Sequence, residues 1–559
     1  MVALPSFATR GRTGGTGLSP LHVASGVLAA AMLLPILAVF VTAAGDSEGL
    51  WAHLASTVLP LYVSNTLLLM AGVTVVSLAF GVSTAWLVAR YEFPGSRILE
   101  WALLLPAAVP GYLIAYTYTD FLEYAGPVQA ALRDLFGWTS ARDYWFPEIR
   151  SMYGASLVLG AVLYPYVYMM ARTAFLQTPT SLLEAGQLAK RNLFWGIDLP
   201  LARPAIVAGL ALVLMETISD FGTVEYFAIQ TLTLGIFNVW LGMNNLAAAA
   251  QIACVAFILI LGLLMLETLA RARRRFADTS RRQLVARPVR ARGRTALFCI
   301  LVCALPVTIG FVIPVSVLLS FILKGYSLDL TSAAAEAAFN SLSVAAMVAF
   351  LVIAVATFMG LVAAYGGRPL LHRLTAVASI GYAFPGTILA VGVVTAAGYL
   401  DDGIGRFSEG VLGLSYEGWL TSGVGLVVLA CVVRFQAVGR GAIASGLERV
   451  PPHLVDAGRT LGQTLSGSLA RIVTPLIRGS VAAGAVLVFV DVMKELPMTL
   501  LLRPFNYETL ATYVYQYAKD ELLEEAALPA LLIVAAGILP VIVLSRAISA
   551  SRPGHRRSA

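Results

Sequence analysis

Long apolar runs, separated by short polar or basic stretches, make up most of the chain. Each is close to the roughly 20 residues that a helix needs to cross a bilayer. Twelve can be marked out: 21–44, 64–89, 98–119, 152–176, 203–223 and 247–270 in the first half, and 295–323, 340–365, 374–399, 422–439, 477–498 and 527–546 in the second. The pattern predicts an all-α polytopic membrane protein. The first run follows Arg10 and Arg12 but is long and has no clear small-residue cleavage site after it, so it reads as a span and not as a cleaved signal.

Composition excludes a soluble globule. The 559 residues are 58% hydrophobic and 12% charged, against about 25% charged in ordinary soluble domains, and mean hydropathy is +0.82. The net charge of +7 comes from 38 basic residues, of which only Lys190, Lys324, Lys494 and Lys519 are lysines. Their clustering suits loop placement at a lipid bilayer, with no nucleic-acid partner expected. Cys254, Cys299, Cys303 and Cys431 lie in apolar runs, and the five histidines show no metal-ligand spacing. Neither a disulfide framework nor a zinc site is implied.

Arginine placement predicts sidedness. Arg90 and Arg97, then Arg172, Lys190, Arg191 and Arg203, then the run from Arg271 to Arg294 fall on one side of successive spans, which makes that side cytoplasmic. Both termini are then cytoplasmic. The opposite loops agree, since 45–63 holds Asp46 and Glu48 without Lys or Arg, and 224–246 holds only Glu225. Segments 120–150 and 499–525 are expected outside, where Asp143, Glu148 and Asp520 to Glu525 offer acidic surface to a receptor.

A shift of about 275 residues superposes the two halves. Asn65 meets Asn340, Pro110-Gly111 meets Pro385-Gly386, Pro200 meets Pro475, Arg203 meets Arg478, Glu216 meets Asp491, and Asp220 meets Glu495. The expected organisation is a first transmembrane domain over 1–270, a basic cytoplasmic linker over 271–294 and a second transmembrane domain over 295–559. Six helices per half give both copies the same orientation, with an axis along the membrane normal and a central pathway between them.

Each half carries a related segment between its fourth and fifth spans: SLLEAGQLAKRNLFWGIDLPLARPAI at 181–206 and HLVDAGRTLGQTLSGSLARIVTPLIRGSV at 453–481. These segments resemble the EAA loop of ABC importer membrane subunits, which in that family forms a short cytoplasmic helix docking in a cleft of the ATPase. The resemblance implies ATPase-coupling roles for Glu184, Ala185 and Gly186, and for Asp456, Ala457, Gly458 and Gly462. An acid opening a short helix favours its dipole, and the downstream Pro suits the start of the next helix. The first copy is three residues shorter and lacks the Gly, which predicts a shorter or differently seated helix there.

The resemblance extends over nearly the whole chain. LPAAVPGYLIAYTYTDFLEYAGPVQ (105–129), METISDFGTVEYF (215–227) and DVMKELPMTLLLRPFNYETLAT (491–512) look like the fused two-domain permeases of bacterial ferric-iron ABC importers. It implies a transporter subunit of the inner membrane and not an enzyme. No Lys follows a Gly anywhere, so the phosphate-binding G-x-x-x-x-G-K-[ST] loop cannot be built. No cofactor is expected in this chain; ATP and magnesium belong to two copies of a partner ATPase, and a periplasmic binding protein delivers the substrate. Fused permeases for thiamine and phosphonate share the architecture, so the cargo stays open between these and iron.

Intramembrane carboxylates are costly and mark cavities or partners. Glu216 and Asp220 are four residues apart, hence on one helix face, and Asp491 and Glu495 repeat the arrangement. At about 1.5 Å per residue, Glu216 lies roughly 20 Å above Arg203. The four acids form a candidate outer vestibule with transient Fe3+ contacts, or else make interhelical hydrogen bonds or a gate ion pair. Tyr112, Tyr116 and Tyr118, with Tyr164, Tyr166 and Tyr168, are further oxygen donors, although packing is the commoner role of such residues; Cys299 and Cys303 read as simple burial.

A secondary transporter of the major-facilitator type is also built from two parallel six-helix halves. That family expects G-x-x-x-D-R-x-G-R-R after its second span, whereas this chain has ARYEFPGSR at 89–97. An intramembrane protease has no HExxH or GxSxG motif to stand on here.

Overall fold

The structure, a computed structural model, describes residues 20–272, 288–325 and 331–550, except 414, 417, 419, 422 and 452. Most of the linker expected over 271–294, and both chain ends, lie outside the described residues. The first half contains α1 (Pro20–Ala43), α2 (Leu59–Arg90), α3 (Ser96–Ala102), α4 (Gly111–Leu122), α5 (Pro127–Phe136), α6 (Met152–Leu176), α7 (Thr180–Leu188), α8 (Leu199–Ser219), α9 (Gly222–Tyr226) and α10 (Leu246–Ala272). The second contains α11 (Gly293–Val307), α12 (Ile313–Leu323), α13 (Ser332–Tyr365), α14 (Pro369–Val377), α15 (Gly386–Phe407), α16 (Gly425–Glu448), α17 (His453–Thr460), α18 (Thr474–Met493), α19 (Pro497–Leu502), α20 (Leu510–Lys519) and α21 (Ala527–Ala550).

Eleven stretches among the described residues are long and apolar enough to cross a membrane, and the pair Ser96–Ala108 and Gly111–Phe136, bent by 94°, makes a twelfth. The run 98–119 is therefore not one straight span. Pro110 lacks the N–H that would continue the helix and forces Val109 into extended backbone (φ −94°, ψ 125°). Phe384 before Pro385 does the same (φ −98°, ψ 132°), so the ninth span starts at Gly386 and not at 374. Three other prolines, Pro200, Pro314 and Pro475, each follow a wide i→i+5 turn with one residue between, the turns being Phe194–Asp198, Thr308–Val312 and Leu469–Val473. The wide turns let the helix run on where a proline removes a donor. The fifth and eleventh spans thus begin upstream of their prolines.

The compact units do not follow the two sequence halves. One comprises Met1–His53, Ile236–Val255 and Thr331–Tyr513; the other comprises Leu54–Gly235, Ala256–Leu330 and Val514–Ala559. The helix opening each half packs with the bundle of the other half. In the first unit α1 lies on α15, where Thr42 donates to Thr395 at 3.0 Å. There Gly392 allows contact, since a Cβ would sit 2.0 Å from the Pro35 carbonyl. In the second unit Tyr118 on α4 donates to the Ile309 carbonyl at 2.9 Å, and a Cβ on Gly310 would sit 2.5 Å from the Ala161 carbonyl.

Each unit fixes a returning loop by the same device. Asn65 donates to the Gln230 carbonyl at 3.0 Å and Thr66 accepts from Leu232 N at 3.1 Å. In the other unit Asn340 donates to the Glu508 carbonyl at 3.0 Å and Ser341 accepts from Leu510 N at 2.7 Å. Two residues of parallel pairing, Tyr91–Glu92 (β1) with Val289–Arg290 (β2), hold the end of α2 beside the residues that lead into α11.

Candidate functional site

Helix α7 presents Glu184 and Ala185 to solvent and buries Leu183 and Gly186. Gly186 lies against the start of the fifth span so closely that a Cβ would sit 2.2 Å from Ile197 Cδ1. Helix α17 repeats this in its own unit: Asp456 and Ala457 are exposed, Val455 and Gly458 are buried, and a Cβ on Gly458 would sit 2.8 Å from Ile472 Cδ1. The glycine of each motif is therefore a seat for the isoleucine of the same motif.

The three-residue shortening does not shorten the helix: α7 has 9 residues and α17 has 8. Both helices close with the same turn. The Gly186 carbonyl accepts from Arg191 N at 2.9 Å, and the Gly458 carbonyl accepts from Gln463 N at 3.0 Å. Gly462 takes the left-handed position of that turn at φ +84°, and Lys190 takes it in the first copy at φ +53°. The missing residues fall after the turn, where Asn192 caps Trp195 N at 3.1 Å while Thr464 caps Gly467 N at 3.1 Å. Glu184 also does not open its helix, which begins at Thr180; Asp456 does lie in the first turn of α17.

What holds the base of the fifth span differs between the copies. Asp198, fully buried, accepts from Trp86 Nε1 at 2.9 Å and from Arg90 Nε at 3.0 Å, with a second bond to Arg90 Nη2. The matching residues of the second repeat are Leu361, Tyr365 and Val473, and there Val473 joins an apolar cluster with Ala356, Ile443, Leu447, Val455 and Ile477. A second pair confined to the first copy, Arg172 with Glu100, ties α6 to α3.

The far ends of the fifth and eleventh spans hold the paired acids, and the shared-face expectation fails there. Helix α8 stops at Ser219 and α18 at Met493, so Asp220 and Glu495 lie in the breaks beyond them. Asp220 accepts from the Thr223 hydroxyl at 3.0 Å and from Val224 N at 3.2 Å, capping α9. Glu495 accepts from Met498 N at 2.9 Å, capping α19, and pairs with Arg434 at 3.1 Å. The repeated Pro-Gly now has a reason. A Cβ on Gly111 would sit 3.1 Å from Thr223 Oγ1 and 3.4 Å from Asp220 Oδ1, and a Cβ on Gly386 would sit 2.6 Å from Arg434 Nη1. Glu216 and Asp491 are half-buried, and Asp491 has Lys494 at 3.6 Å.

Tyr112 and Tyr116 on α4 are both buried, with ring centres 5.7 Å apart. Tyr168 donates to the Glu100 carbonyl at 3.1 Å, Tyr164 packs edge-on to Phe80, and Cys299 and Cys303 are buried free thiols. Glu225, which has no Lys or Arg near it in sequence, meets Lys519 at 3.3 Å. In the outer-loop candidate, the backbone N–H groups of Thr139 and Ser140 hold the Asp143 carboxyl below the usual carboxylate range. Sequence reading missed Arg434 and Asp198, and it took Arg172 only as a marker of the cytoplasmic side, whereas the residue is buried and paired with Glu100. The available signal for Arg434 was a lone cation inside an apolar run.

Residues 356–553 match the family described as binding-protein-dependent transport system inner membrane component. The chain is 23% identical to the Fe(3+)-transport system permease protein FbpB 2 of Haemophilus influenzae, over 87% of this chain and 89% of that protein. It is 27% identical to the molybdenum transport system permease protein ModB of Escherichia coli over 35% of this chain and 87% of that protein. It is also 27% identical to the putative 2-aminoethylphosphonate transport system permease protein PhnU of Salmonella typhimurium, over 37% of this chain and 74% of that protein. The second half thus carries the domain of binding-protein-dependent transport permeases, and the chain resembles the ferric-iron ABC permeases along most of its length.

Proposed function

We propose that this permease serves an ATP-driven importer of ferric iron in the bacterial inner membrane, with both termini in the cytoplasm. A periplasmic binding protein delivers the ion, and two separate ATPase subunits, which carry the ATP and magnesium, dock on α7 and α17. What supports iron is that the relatives matched through both repeats are ferric-iron permeases, whereas the molybdenum and phosphonate permeases are shorter proteins that match 35% and 37% of the chain along 87% and 74% of their own length.

The docking reading is supported by exposed motif faces whose buried glycines fix them to the base of a long span. In this reading a push on α7 or α17 is passed to α8 or α18 through the packed glycine and isoleucine of each motif. In the pathway, the half-buried Glu216 and Asp491 are the acids assigned to meet cargo, Asp491 beside Lys494, while Asp220 and Glu495 serve the caps. The test is uptake into vesicles holding the full chain together with an ATPase and a binding protein of a ferric-iron importer. ATP-dependent entry of radioactive iron supports the reading, and entry of molybdate or 2-aminoethylphosphonate without iron overturns the cargo assignment.

A further inference from the structure

The second unit contains a set of oxygen atoms that neither the caps nor the helices α7 and α17 use. Tyr116 is 1% exposed, and its hydroxyl has no hydrogen-bond partner among the described residues. Around it stand Tyr112, Tyr226, Tyr515 and Glu225, with the Tyr226 ring centre 4.5 Å from that of Tyr116. Burying a hydroxyl unpaired is unfavourable, so a bare phenol among three others and a carboxylate is a donor set in search of a ligand. Hard, highly charged cations prefer such oxygen donors.

The protein's own cations already use these surfaces. Lys519 Nζ is 3.3 Å from Glu225 and 5.8 Å from the Tyr515 ring centre. The Arg150 guanidinium lies 4.9 Å from the Tyr226 ring centre and pairs with Glu123 at 2.6 Å. Electron-rich ring faces beside carboxylates attract positive charge. Lys519 is half exposed, so its ammonium can turn to water and yield Glu225 to another cation. The charge around the cluster is also negative, with Asp120, Glu123, Glu225, Glu521 and Glu524 against Arg150, Lys324 and Lys519. An oxyanion would meet repulsion here.

The repeat shows that the fold does not demand this cluster. Asn65, Gly111 and the capping acid recur in the second half, but the counterparts of Tyr112, Tyr116, Glu225 and Tyr226 are Thr387, Val391, Leu500 and Leu501. We propose that Tyr116, Tyr226, Tyr515 and Glu225 form a transit site for a hard trivalent cation, with Lys519 as the counter-ion that the cation displaces. Coordination by a phenol oxygen releases its proton to water. The site rests on the ferric-iron reading for its natural cargo.

Terbium ion is the probe, because its emission is sensitised by tyrosines beside it. The full chain in phosphatidylcholine nanodiscs should bind terbium saturably on excitation of tyrosine, with ferric citrate competing. Tyr116→Phe combined with Glu225→Gln should weaken binding by about tenfold or more, and Lys519→Met should tighten it, which a packing role would not do. Unchanged terbium binding in a double variant that elutes and melts like the parent overturns the site. If that variant does not fold, unchanged binding in both Tyr226→Phe and Lys519→Met overturns it instead. Displacement of terbium by molybdate but not by ferric citrate also overturns it. Iron uptake with no terbium effect of the variants removes the site and leaves the cargo reading, whereas site-dependent terbium binding without iron uptake removes the cargo reading alone.

Discussion

Arg434 Nη1 stands 3.1 Å from Glu495 Oε2 inside the second repeat, and the residue at the matching place of the first repeat is Leu159. Both members of the pair are less than a tenth exposed, at 8% and 5%. In the first repeat Leu159 packs against Gly111, and the shorter Asp220 is satisfied by its cap alone. The repeat has kept an acid that caps a short helix and changed what lies beside it.

Removing one member of a buried pair leaves the other charged and unpaired, at a cost of about 3–5 kcal/mol. Arg434→Leu should therefore lower the unfolding temperature in nanodiscs sharply. Adding Glu495→Gln, which still accepts from Met498 N, should restore most of the loss. A double variant no more stable than Arg434→Leu would show that the cation stabilises by other means.

The motif glycines make a prediction about coupling. A methyl on Gly186 would press on Ile197 Cδ1 and one on Gly458 on Ile472 Cδ1, an overpacking that costs about 1–3 kcal/mol and tilts the helix off its seat. Gly186→Ala with Gly458→Ala should insert in the membrane normally but lose most ATP-dependent uptake. Ile197→Val with Ile472→Val, which deletes the two methyls, should return it. Full uptake by the glycine double variant would refute the seating argument.

The spans, the repeat and the positions of the short helices α7 and α17 were legible because bilayer helices and repeated motifs leave long, redundant patterns. The breaks at Pro110 and Pro385 were visible as residues, yet hydropathy reads straight across them: the flanking side chains are apolar on both sides of the kink. The exchange of α1 and α11–α12 between bundles left no local mark, since an apolar helix reads the same whichever bundle it joins. Distant pairs such as Lys519 with Glu225 were hidden for a similar reason, because Glu225 in α9 and Lys519 at the end of α20 lie far apart in sequence and neither helix marks its partner.

Sidedness can be checked with single cysteines outside the spans, at the part-exposed Ser140 and the exposed Thr460. Ser140→Cys, between α5 and α6, should react with a membrane-impermeant thiol reagent in intact cells. Thr460→Cys, at the end of α17, should react only after the membrane is opened. The reverse pattern would invert the orientation and remove α7 and α17 as ATPase contacts.

The buried Asp198 supports a prediction that uses one repeat as the template for the other. It joins Trp86 and Arg90 at the end of α2 to the base of the fifth span, where the second repeat packs Leu361, Tyr365 and Val473. A buried ion pair is often replaced by apolar side chains of similar size without loss of stability, while deleting one partner costs about 3–5 kcal/mol. Asp198→Val alone should thus be severely destabilising, because the Arg90 guanidinium, whose side chain is 11% exposed, keeps its charge with no acceptor. Trp86→Leu, Arg90→Tyr and Asp198→Val together install the second repeat's solution and should recover the unfolding temperature. Uptake separates two roles for the pair. If it only holds the fold, the triple variant transports as well as the parent. If its directional bonds transmit the movement of α7 to α2, the triple variant is stable, binds ATPase normally and transports poorly. The single observation that Arg90 is also followed at once by the Tyr91–Glu92 pairing with Val289–Arg290 favours the second outcome, since movement at Asp198 would then reach the entry to α11 through two residues of backbone.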